Sequence, residues 1–403
     1  MLSHCATSAL AGRKKHYAAA AAVAVVILVL LFQTLRKAYR PQGYDFTSYL
    51  LSAQALLEKR NPYLVETHFP YIYPLFLAFV VSPLTILPYG VASVFWFLLN
   101  VGALLLSVRG LIDAAPTQTN TSWGWHLAVP GLTLFLITFS AIQNNLLNGQ
   151  VNLLMLACCV VFFTRFTDNK SVGCAVGLGC AIALKLLPAI LLGFLVLRRR
   201  LRCAIYAVLA TVLFCLLPGL IDRRDLFVWY GTYIHQFLIP KLTATGGQAG
   251  GFNLQGLLAC FSPSLGQSPF VRVASFIASV SAVLAVDLAT VRSRSVQAQV
   301  WAFCAYLIGA LFLSPMAETH HLVLAIPAIV LLGTKAVFDD SWRTKGVKVL
   351  LGSFVASFTI LPQLFDAASF YFIPLCILIV LLFVAAQRPA CGSSRVPVEA
   401  PHQ

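Results

Sequence analysis

Charged residues are scarce in this chain of 403 residues, in which they make up only 10% of the sequence and acids number just 13. Hydrophobic residues account for 59% of the chain, and the mean hydropathy is +0.85. A soluble multidomain protein of this length does not carry so apolar a composition. The shortage of charge therefore excludes a soluble enzyme and predicts a polytopic membrane protein.

Nucleotide-binding motifs are also missing, since neither a G-x-x-x-x-G-K-[ST] loop nor a G-x-G-x-x-G fingerprint occurs. The net charge of +15 could indicate a nucleic-acid partner, but the bases punctuate apolar runs and form no patch on a soluble domain. No two of the 11 cysteines stand at metal-ligand spacing. We therefore expect no nucleic-acid partner, no metal site and no cofactor, and we expect the bases to contact membrane lipids.

Apolar runs of the length that crosses a bilayer, roughly 17 to 25 residues, recur along the whole chain. The predicted spans are residues 17–35, 71–87, 91–108, 127–142, 151–166, 172–197, 203–220, 269–291, 296–313, 321–332, 346–361 and 370–386. These runs predict an all-α polytopic membrane protein with about 12 transmembrane helices, extracytoplasmic loops and a short interfacial helix after the first span.

The distribution of bases predicts which loops lie inside. Arg13, Lys14 and Lys15 precede an apolar run without a cleavage site, which indicates a retained anchor and a cytoplasmic N-terminus. The densest basic cluster, from Arg198 to Arg202, predicts a cytoplasmic loop. The predicted organisation is a cytoplasmic N-terminus at 1–16, a membrane domain at 17–386 with outer loops at 36–70 and 221–268, the latter Gly-rich, and a disordered cytoplasmic tail at 387–403.

Asp45 lies where the chain leaves the first span, just before a segment from Tyr49 to Lys59 that favours an interfacial helix. One interpretation makes Asp45 the cap of that helix. The other makes it a general base whose pKa is raised by apolar and aromatic neighbours such as Tyr44. Spacing alone favours neither interpretation.

Lys185 lies within an apolar run, where a base indicates a functional site unless its side chain snorkels to the surface. Pro188 predicts a kink that would bring Lys185 towards the outer surface. His320 and His321 open a late span, where one imidazole is expected to contact phosphate while the other packs. Because successive residues of a helix point about 100° apart, a metal ion shared by the two is disfavoured.

The segment Asn148-Gly149-Gln150-Val151-Asn152 places amides between two predicted spans. Unsatisfied amides are unfavourable in lipid, so the segment is expected to face protein or a wet cavity. The alternative is a plain turn whose amides are solvated on the cytoplasmic side.

In their order and spacing, these segments resemble glycosyltransferase family 87, a branch of the multispan glycosyltransferases of the GT-C superfamily. The resemblance covers most of the chain. The matching segments are Tyr44-Asp45-Phe46, Asn61-Pro62-Tyr63, Tyr71-Ile72-Tyr73-Pro74-Leu75, residues 148–152, residues 183–188, and Ser314-Pro315 with His320-His321-Leu322. The chain departs from the family at Ala317-Glu318-Thr319, where an aromatic residue is frequent, and at Asn253-Leu254-Gln255, where Asn-Gln-Ser is usual.

The resemblance implies a GT-C-like bundle and an α-mannosyltransferase that uses a polyprenyl-phosphate-linked sugar donor and a lipid or glycan acceptor. It implies that Asp45 is the catalytic base and that His320 and His321 lie near the donor phosphate, with Lys185 as a further phosphate ligand. Candidate substrate-binding residues are Tyr44, Asn61, Tyr63, Tyr73, Asn148, Gln150, Asn253 and Glu318. Transfer would proceed with inversion at the outer face of a bacterial inner (plasma) membrane.

Two other classes remain open at this point. A transporter or lipid flippase would use Lys185 and the interrupted spans to line a pathway, although no internal repeat is visible. A structural membrane subunit would use the polar residues for packing alone. A transferase differs from both because it needs Asp45 and releases polyprenyl phosphate.

Overall fold

The protein is described by a computed structural model that covers residues 2–114, 139–240, 251–291, 295–314, 317–338, 344–364 and 368–387. All regular secondary structure in these ranges is helical, which confirms the predicted all-α class. Other predicted features lie outside the described residues, namely those at 115–138, Gly246, Gly247, Gly250, Arg292, Arg294, Pro315 and 388–403.

The described α-helices are α1 (Leu2–Ala38), α2 (Asp45–Leu57), α3 (Leu75–Val81), α4 (Tyr89–Ala114), α5 (Ser140–Asn148), α6 (Asn152–Thr167), α7 (Ser171–Leu184), α8 (Leu191–Leu197), α9 (Leu201–Leu216), α10 (Leu226–Tyr233), α11 (Leu254–Phe261), α12 (Pro263–Gln267), α13 (Pro269–Val291), α14 (Val296–Leu313), α15 (Ile326–Phe338), α16 (Lys345–Leu364) and α17 (Phe372–Gln387). Short 3-10 segments precede or extend several of them.

Seven helical stretches among the described residues are long and apolar enough to cross a membrane, and the bent pair α5–α6 brings the number to eight. The seven are Ala20–Ala38, Tyr89–Ala114, Leu201–Leu220, Pro269–Val291, Thr319–Ala336, Lys345–Pro362 and Ser369–Gln387. The polytopic membrane fold is therefore confirmed, whereas the predicted number of about 12 spans is not.

Residues 71–87, predicted as a span, do not form a helix of membrane length. The seven residues of α3 continue into a 3-10 segment, Ser82–Ile86, which has a proline in its first turn. Tyr89, the first residue of α4, donates its hydroxyl to the carbonyl of Ala38 at 3.1 Å. Because α4 therefore starts where α1 ends, the segment between α2 and α4 remains at one end of the bundle.

Residues 221–268, predicted as a long loop without obvious structure, are largely helical where the structure describes them, and contain α10, α11 and α12. Leu226, Trp229 and Tyr233 recur at helical spacing on α10 and are buried. The ring of Tyr233 stacks on Tyr63 with centroids 5.4 Å apart. Burial of this apolar face against the first loop explains why α10 forms.

The two ends of the bundle differ in their polar residues. The Asp45 end contains the end of α1, the helix α2 and the start of α4. The Arg198 end contains the basic cluster 198–202, where Arg200 donates to the side chain of Asn169 at 2.8 Å. Arg198 itself is buried at that end: it donates to a carboxylate oxygen of Asp287 on α13 at 3.0 Å, with side-chain exposures of 5% and 0%. Arg198 is thus an internal ion-pair partner and not a headgroup contact.

Removal of one member of this pair should strongly destabilise the protein. We expect Asp287→Ala to lower the free energy of unfolding by about 3–5 kcal/mol, because it leaves the Arg198 guanidinium buried without its counter-charge. A double variant, Arg198→Met with Asp287→Leu, should recover most of that loss. The measurement is the temperature at which purified protein in detergent loses its monodisperse state.

The matched control is Asp113→Ala, which breaks the exposed pair Arg109–Asp113, where the nitrogen and oxygen are 3.8 Å apart. Exposed pairs contribute little, so this variant should behave like the wild type. Equal losses for Asp287→Ala and Asp113→Ala would show that the buried pair has no special weight.

Candidate active site

Asp45 is the first residue of α2, and the residue in the N-cap position is Tyr44. The backbone N–H of Tyr44 donates to the hydroxyl of Thr47 at 3.1 Å, so the Thr47 side chain takes part in closing the start of the helix. The interpretation of Asp45 as the helix cap is therefore wrong. Its carboxylate is available for other contacts.

The surroundings of Asp45 raise its pKa from the ordinary 3.8 to about 6. Burial is the largest cause, because it disfavours the charged form, and the negative charge of Glu318 is the second. A hydrogen bond from Gln150 and the positive charges of Lys185 and Lys37 act in the opposite direction. At neutral pH the carboxylate is thus ionised but is a better proton acceptor than an exposed aspartate.

A glycine break between α5 and α6 brings the amide segment to Asp45. Gly149 ends α5 with φ +62°, and the two helices meet at 117°. A Cβ at this position would lie 2.5 Å from the Tyr44 ring and 2.8 Å from Phe46. The indole N–H of Trp96 donates to the Gly149 carbonyl at 2.8 Å. Only glycine combines this left-handed backbone with such close packing against the start of α2.

The amides that follow this break are buried. Gln150 and Asn152 are 3% and 0% exposed, so the alternative of a solvated cytoplasmic turn is wrong. The Gln150 carbonyl oxygen accepts from the hydroxyl of Tyr73 at 3.0 Å and from that of Tyr49 at 3.3 Å. The turn therefore lies at the Asp45 end of the bundle. Alternating the predicted spans across the membrane instead placed it at the other, cytoplasmic end.

Lys185 lies in a second break. The helix α7 ends at Leu184, and Lys185 is extended, with φ −160° and ψ 134°. Its ammonium group donates to the Asn152 side chain at 2.8 Å, lies 2.7 Å from Nε2 of His321, and is 5.2 Å from the centre of the Tyr73 ring. The predicted break in the helix is confirmed, and the half-buried Lys185 binds side chains of the protein instead of extending to the surface.

The histidine pair lies on the 3-10 segment Thr319–Ala325, and both imidazoles are buried. The N–H of Glu318 donates to Nδ1 of His321 at 2.9 Å, which directs Nε2 of that ring towards Lys185. Nδ1 of His320 lies 3.4 Å from the Glu318 carboxylate, whose side chain is 67% exposed. His321 is therefore the imidazole that joins the lysine. Within the described ranges, no three His, Cys, Asp or Glu side chains are grouped to hold a metal ion.

Two candidate substrate-binding residues serve the packing of the first loop. Asn61 accepts from the backbone N–H of Tyr63 at 3.0 Å and donates to Thr232 of α10 at 3.0 Å. The hydroxyl of Tyr63 donates to the carbonyl of Tyr73 at 2.9 Å. Both residues hold the loop that carries Tyr73.

Asn253 and Asn148 have different surroundings. Asn253 caps α11 by accepting from the N–H of Gly256 at 2.8 Å, and it donates to the carbonyl of Phe312 at 3.2 Å. Its polar atoms thus bind backbone groups outside the Asp45 cluster, which is the group formed by Asp45, Gln150, Lys185 and His321. Asn148 accepts a hydrogen bond from Lys37, a base whose charge also reaches Asp45.

Sequence reasoning missed Asn145 and the part that Asn152 plays. The amide nitrogen of Asn145 donates to the carbonyl of His320 at 2.6 Å, and that of Asn152 lies 3.5 Å from the same oxygen. These two amides fasten the histidine segment to the glycine break. The available signal was their position in strongly apolar surroundings, where polar side chains indicate an internal contact.

The profile of glycosyltransferase family 87 matches residues 71–327 of the chain. The chain belongs to this family. It is thus a membrane glycosyltransferase, and the transporter and structural-subunit interpretations are not supported. The matched range includes Tyr73, the glycine break, Lys185 and the histidine pair, whereas Asp45 precedes it.

Three curated relatives are similar over much of their length. A polyprenol-phosphate-mannose-dependent α-(1-2)-phosphatidylinositol mannoside mannosyltransferase of Mycobacterium tuberculosis is 29% identical over 336 residues, which are 78% of this chain and 74% of the relative. A pentamannoside-directed counterpart from another strain of that species is 29% identical over 65% of this chain and 58% of its own length. A phosphatidylinositol mannoside enzyme of Mycolicibacterium smegmatis is 27% identical over 73% and 71%. No solved structure matches with statistical significance.

Proposed function

We propose that this glycosyltransferase moves mannose from a polyprenyl-phosphate-mannose donor to a lipid or glycan acceptor by an inverting displacement. The observation that carries the proposal is the arrangement of one partly buried cluster, in which the charge of Lys185, which binds His321, acts on the Asp45 carboxylate. The names of the relatives support mannose and the polyprenol-phosphate donor. The phosphatidylinositol mannosides in those names support a phosphate-bearing glycolipid as the acceptor.

The groups of the cluster have distinct roles in this reaction. Asp45 takes the proton of the acceptor hydroxyl as its oxygen forms a bond to the anomeric carbon. The bond between that carbon and the phosphate oxygen breaks, and polyprenyl phosphate leaves with the electron pair. Lys185 and His321 stabilise the charge that develops on the departing phosphate. Attack opposite the leaving group converts a β-linked donor into an α-linked product.

An open groove of about 510 Å³ lies against the start of α2, where Tyr44 and Thr47 line it, and is a suitable entrance for the acceptor. Arg40 and His68 are among its lining residues, together with Ser48 and Phe69. A base, a hydroxyl and an aromatic ring suit a phosphorylated sugar headgroup.

We propose that the site faces the extracytoplasmic side of a bacterial plasma membrane. The basic cluster 198–202 lies at the opposite end of the bundle from Asp45, and short basic loops are typical of the cytoplasmic side. This end-to-end separation supports the orientation inferred from the sequence.

The test of the function is transfer of labelled mannose by purified protein from polyprenyl-phosphate-mannose into a membrane lipid extract. We expect a labelled glycolipid that α-mannosidase cleaves, together with release of polyprenyl phosphate. Polyprenyl-phosphate-glucose and a nucleotide-linked mannose are the comparison donors. A labelled product from the nucleotide donor, with none from the polyprenyl donor, would contradict the proposal.

The raised pKa of Asp45 predicts the pH dependence of transfer. Only the ionised carboxylate accepts a proton, so the rate should fall about tenfold per pH unit below about pH 6. Glu318→Gln should move this acid limb to lower pH, because the negative charge of Glu318 helps to raise the pKa of Asp45. Glu58→Gln is the control, since Glu58 lies after α2 and pairs with Arg60. An acid limb near pH 4 in the wild type would contradict the assignment of Asp45.

A further inference from the structure

Gln150 has a different position from that expected of a substrate ligand. Its side chain is buried, and its carbonyl oxygen accepts from the two hydroxyls of Tyr49 and Tyr73 at 3.3 and 3.0 Å. The two hydroxyls therefore occupy one end of the amide. The other end, the NH₂ group, faces Asp45, because the preceding residue, Gly149, packs against Tyr44 and Phe46 on either side of that aspartate. A hydrogen bond from Gln150 accordingly acts to lower the pKa of Asp45.

The opposite orientation of the amide is unfavourable. It would bring the Gln150 carbonyl oxygen against the carboxylate oxygens of Asp45, and all of these atoms are acceptors. It would also deprive both phenol hydroxyls of their acceptor in a buried place, where an unsatisfied polar group is destabilising. The tyrosine hydroxyls thus determine which end of Gln150 the carboxylate meets.

The tyrosines are themselves held in place. The rings of Tyr49 and Tyr73 pack edge to face with centroids 5.1 Å apart. The carbonyl of Tyr73 accepts from the hydroxyl of Tyr63, and the Tyr49 ring also packs edge to face on Trp96, with centroids 6.0 Å apart. Because this aromatic wall is buried, the hydroxyls have little freedom to turn away from Gln150.

We propose that Gln150 is the positioning residue of the Asp45 carboxylate, and that the hydroxyls of Tyr49 and Tyr73 set which end of its amide faces that carboxylate. The inference rests on the proposed role of Asp45 as the general base. Gln150 acts through Asp45 and is not required to touch either substrate.

Several charged groups face Asp45 and must be distinguished from this effect. They are Lys37 of α1, Lys185 after α7 and Glu318 before the histidine segment. Loss of the Gln150 hydrogen bond should raise the pKa of Asp45, whereas loss of the Glu318 charge should lower it. The two changes therefore move the acid limb of the rate in opposite directions.

The experiment compares the double variant Tyr49→Phe with Tyr73→Phe against the wild type in steady-state transfer. We expect kcat to fall about tenfold at pH 7, as for loss of a hydrogen bond to a charged group, with the acid limb about one pH unit higher. Gln150→Glu should raise the acid limb further, since a second carboxylate replaces the donor. Tyr230→Phe is the matched control, because it removes a hydroxyl that donates to the carbonyl of Cys215 away from the cluster.

A second readout does not depend on transfer. Infrared spectra of the purified protein are recorded over a range of pH, and the spectra of Asp45→Asn are subtracted from them. The difference follows protonation of this one carboxyl group. The midpoint should be near pH 6 in the wild type and higher in the double variant. Unchanged kcat, acid limb and midpoint in a folded double variant would overturn the inference while the transferase function stands. A wild type that titrates as expected but transfers no lipid-linked sugar would contradict the function alone.

Discussion

Replacing Asp45 with asparagine is expected to lower kcat by about 10²- to 10⁴-fold, the usual contribution of a general base. The variant removes the proton acceptor but keeps the size of the side chain, and the carbonyl oxygen of the introduced amide can still accept from Gln150. Folding should be preserved, since the Thr47 hydroxyl that binds the backbone of Tyr44 is unchanged. The measurement is single-turnover transfer of labelled mannose, with the monodispersity of each variant recorded beside it.

The matched control is Asp222→Asn, which changes a buried aspartate outside the cluster. Asp222 accepts from the backbone N–H of Arg224 at 2.9 Å, so its role is to hold a turn. We expect this variant to lose some stability and little activity per folded molecule. Full activity in Asp45→Asn would show that the base lies elsewhere, and Glu318 would be the first alternative, because its charge reaches the same site.

Replacing Lys185 with methionine is expected to lower kcat by about 10²- to 10³-fold and to raise KM for the donor. The ammonium group lies 2.8 Å from Asn152 and 2.7 Å from His321, so the variant removes the positive charge that stabilises the departing phosphate in the proposed mechanism. Lys185→Arg should restore only part of the rate, because a planar guanidinium cannot occupy the place of the compact ammonium. Steady-state kinetics with varied donor concentration separate the two parameters.

Lys335→Met is the control for loss of a buried lysine, since Lys335 is 4% exposed and lies in the last turn of α15. It is distant from the cluster, so its replacement should change stability more than kcat. If Lys185→Met and Lys335→Met reduce kcat equally, Lys185 contributes to packing and not to phosphate stabilisation.

The sequence was sufficient to select the polar positions that meet in the structure. Asp45, Gln150, Lys185 and His321 each interrupt apolar surroundings, and polar groups in lipid are tolerated only where they find partners. Their pairing could not be predicted, because contacts such as Lys185 with His321 join distant segments and depend on how the helices pack. The helix cap at Asn253 differs, because its side chain accepts from Gly256 only three residues on, which is a local contact that an asparagine before a helix can indicate.

The number of spans was the least predictable property. Hydropathy records the length of an apolar run but does not show whether the run crosses the bilayer. Residues 71–87 have the composition of a span, yet Pro74 and Pro83 limit them to a seven-residue α-helix and a short 3-10 segment. Gly149 likewise joins α5 and α6 at a sharp angle. Because of this bend, Gln150 lies at the Asp45 end of the bundle and not at the cytoplasmic end that alternating spans predicted.

The residues of the Asp45 cluster are synthesised at very different times, so the cluster assembles late in membrane insertion. Asp45 follows the first membrane helix, while His321 belongs to one of the last, so the two meet only after nearly the whole chain has been inserted. A nascent or truncated chain carries the carboxylate without the lysine–histidine pair. By the proposed mechanism, such a chain lacks the groups that stabilise the departing phosphate, so partly assembled copies do not consume the lipid-linked donor.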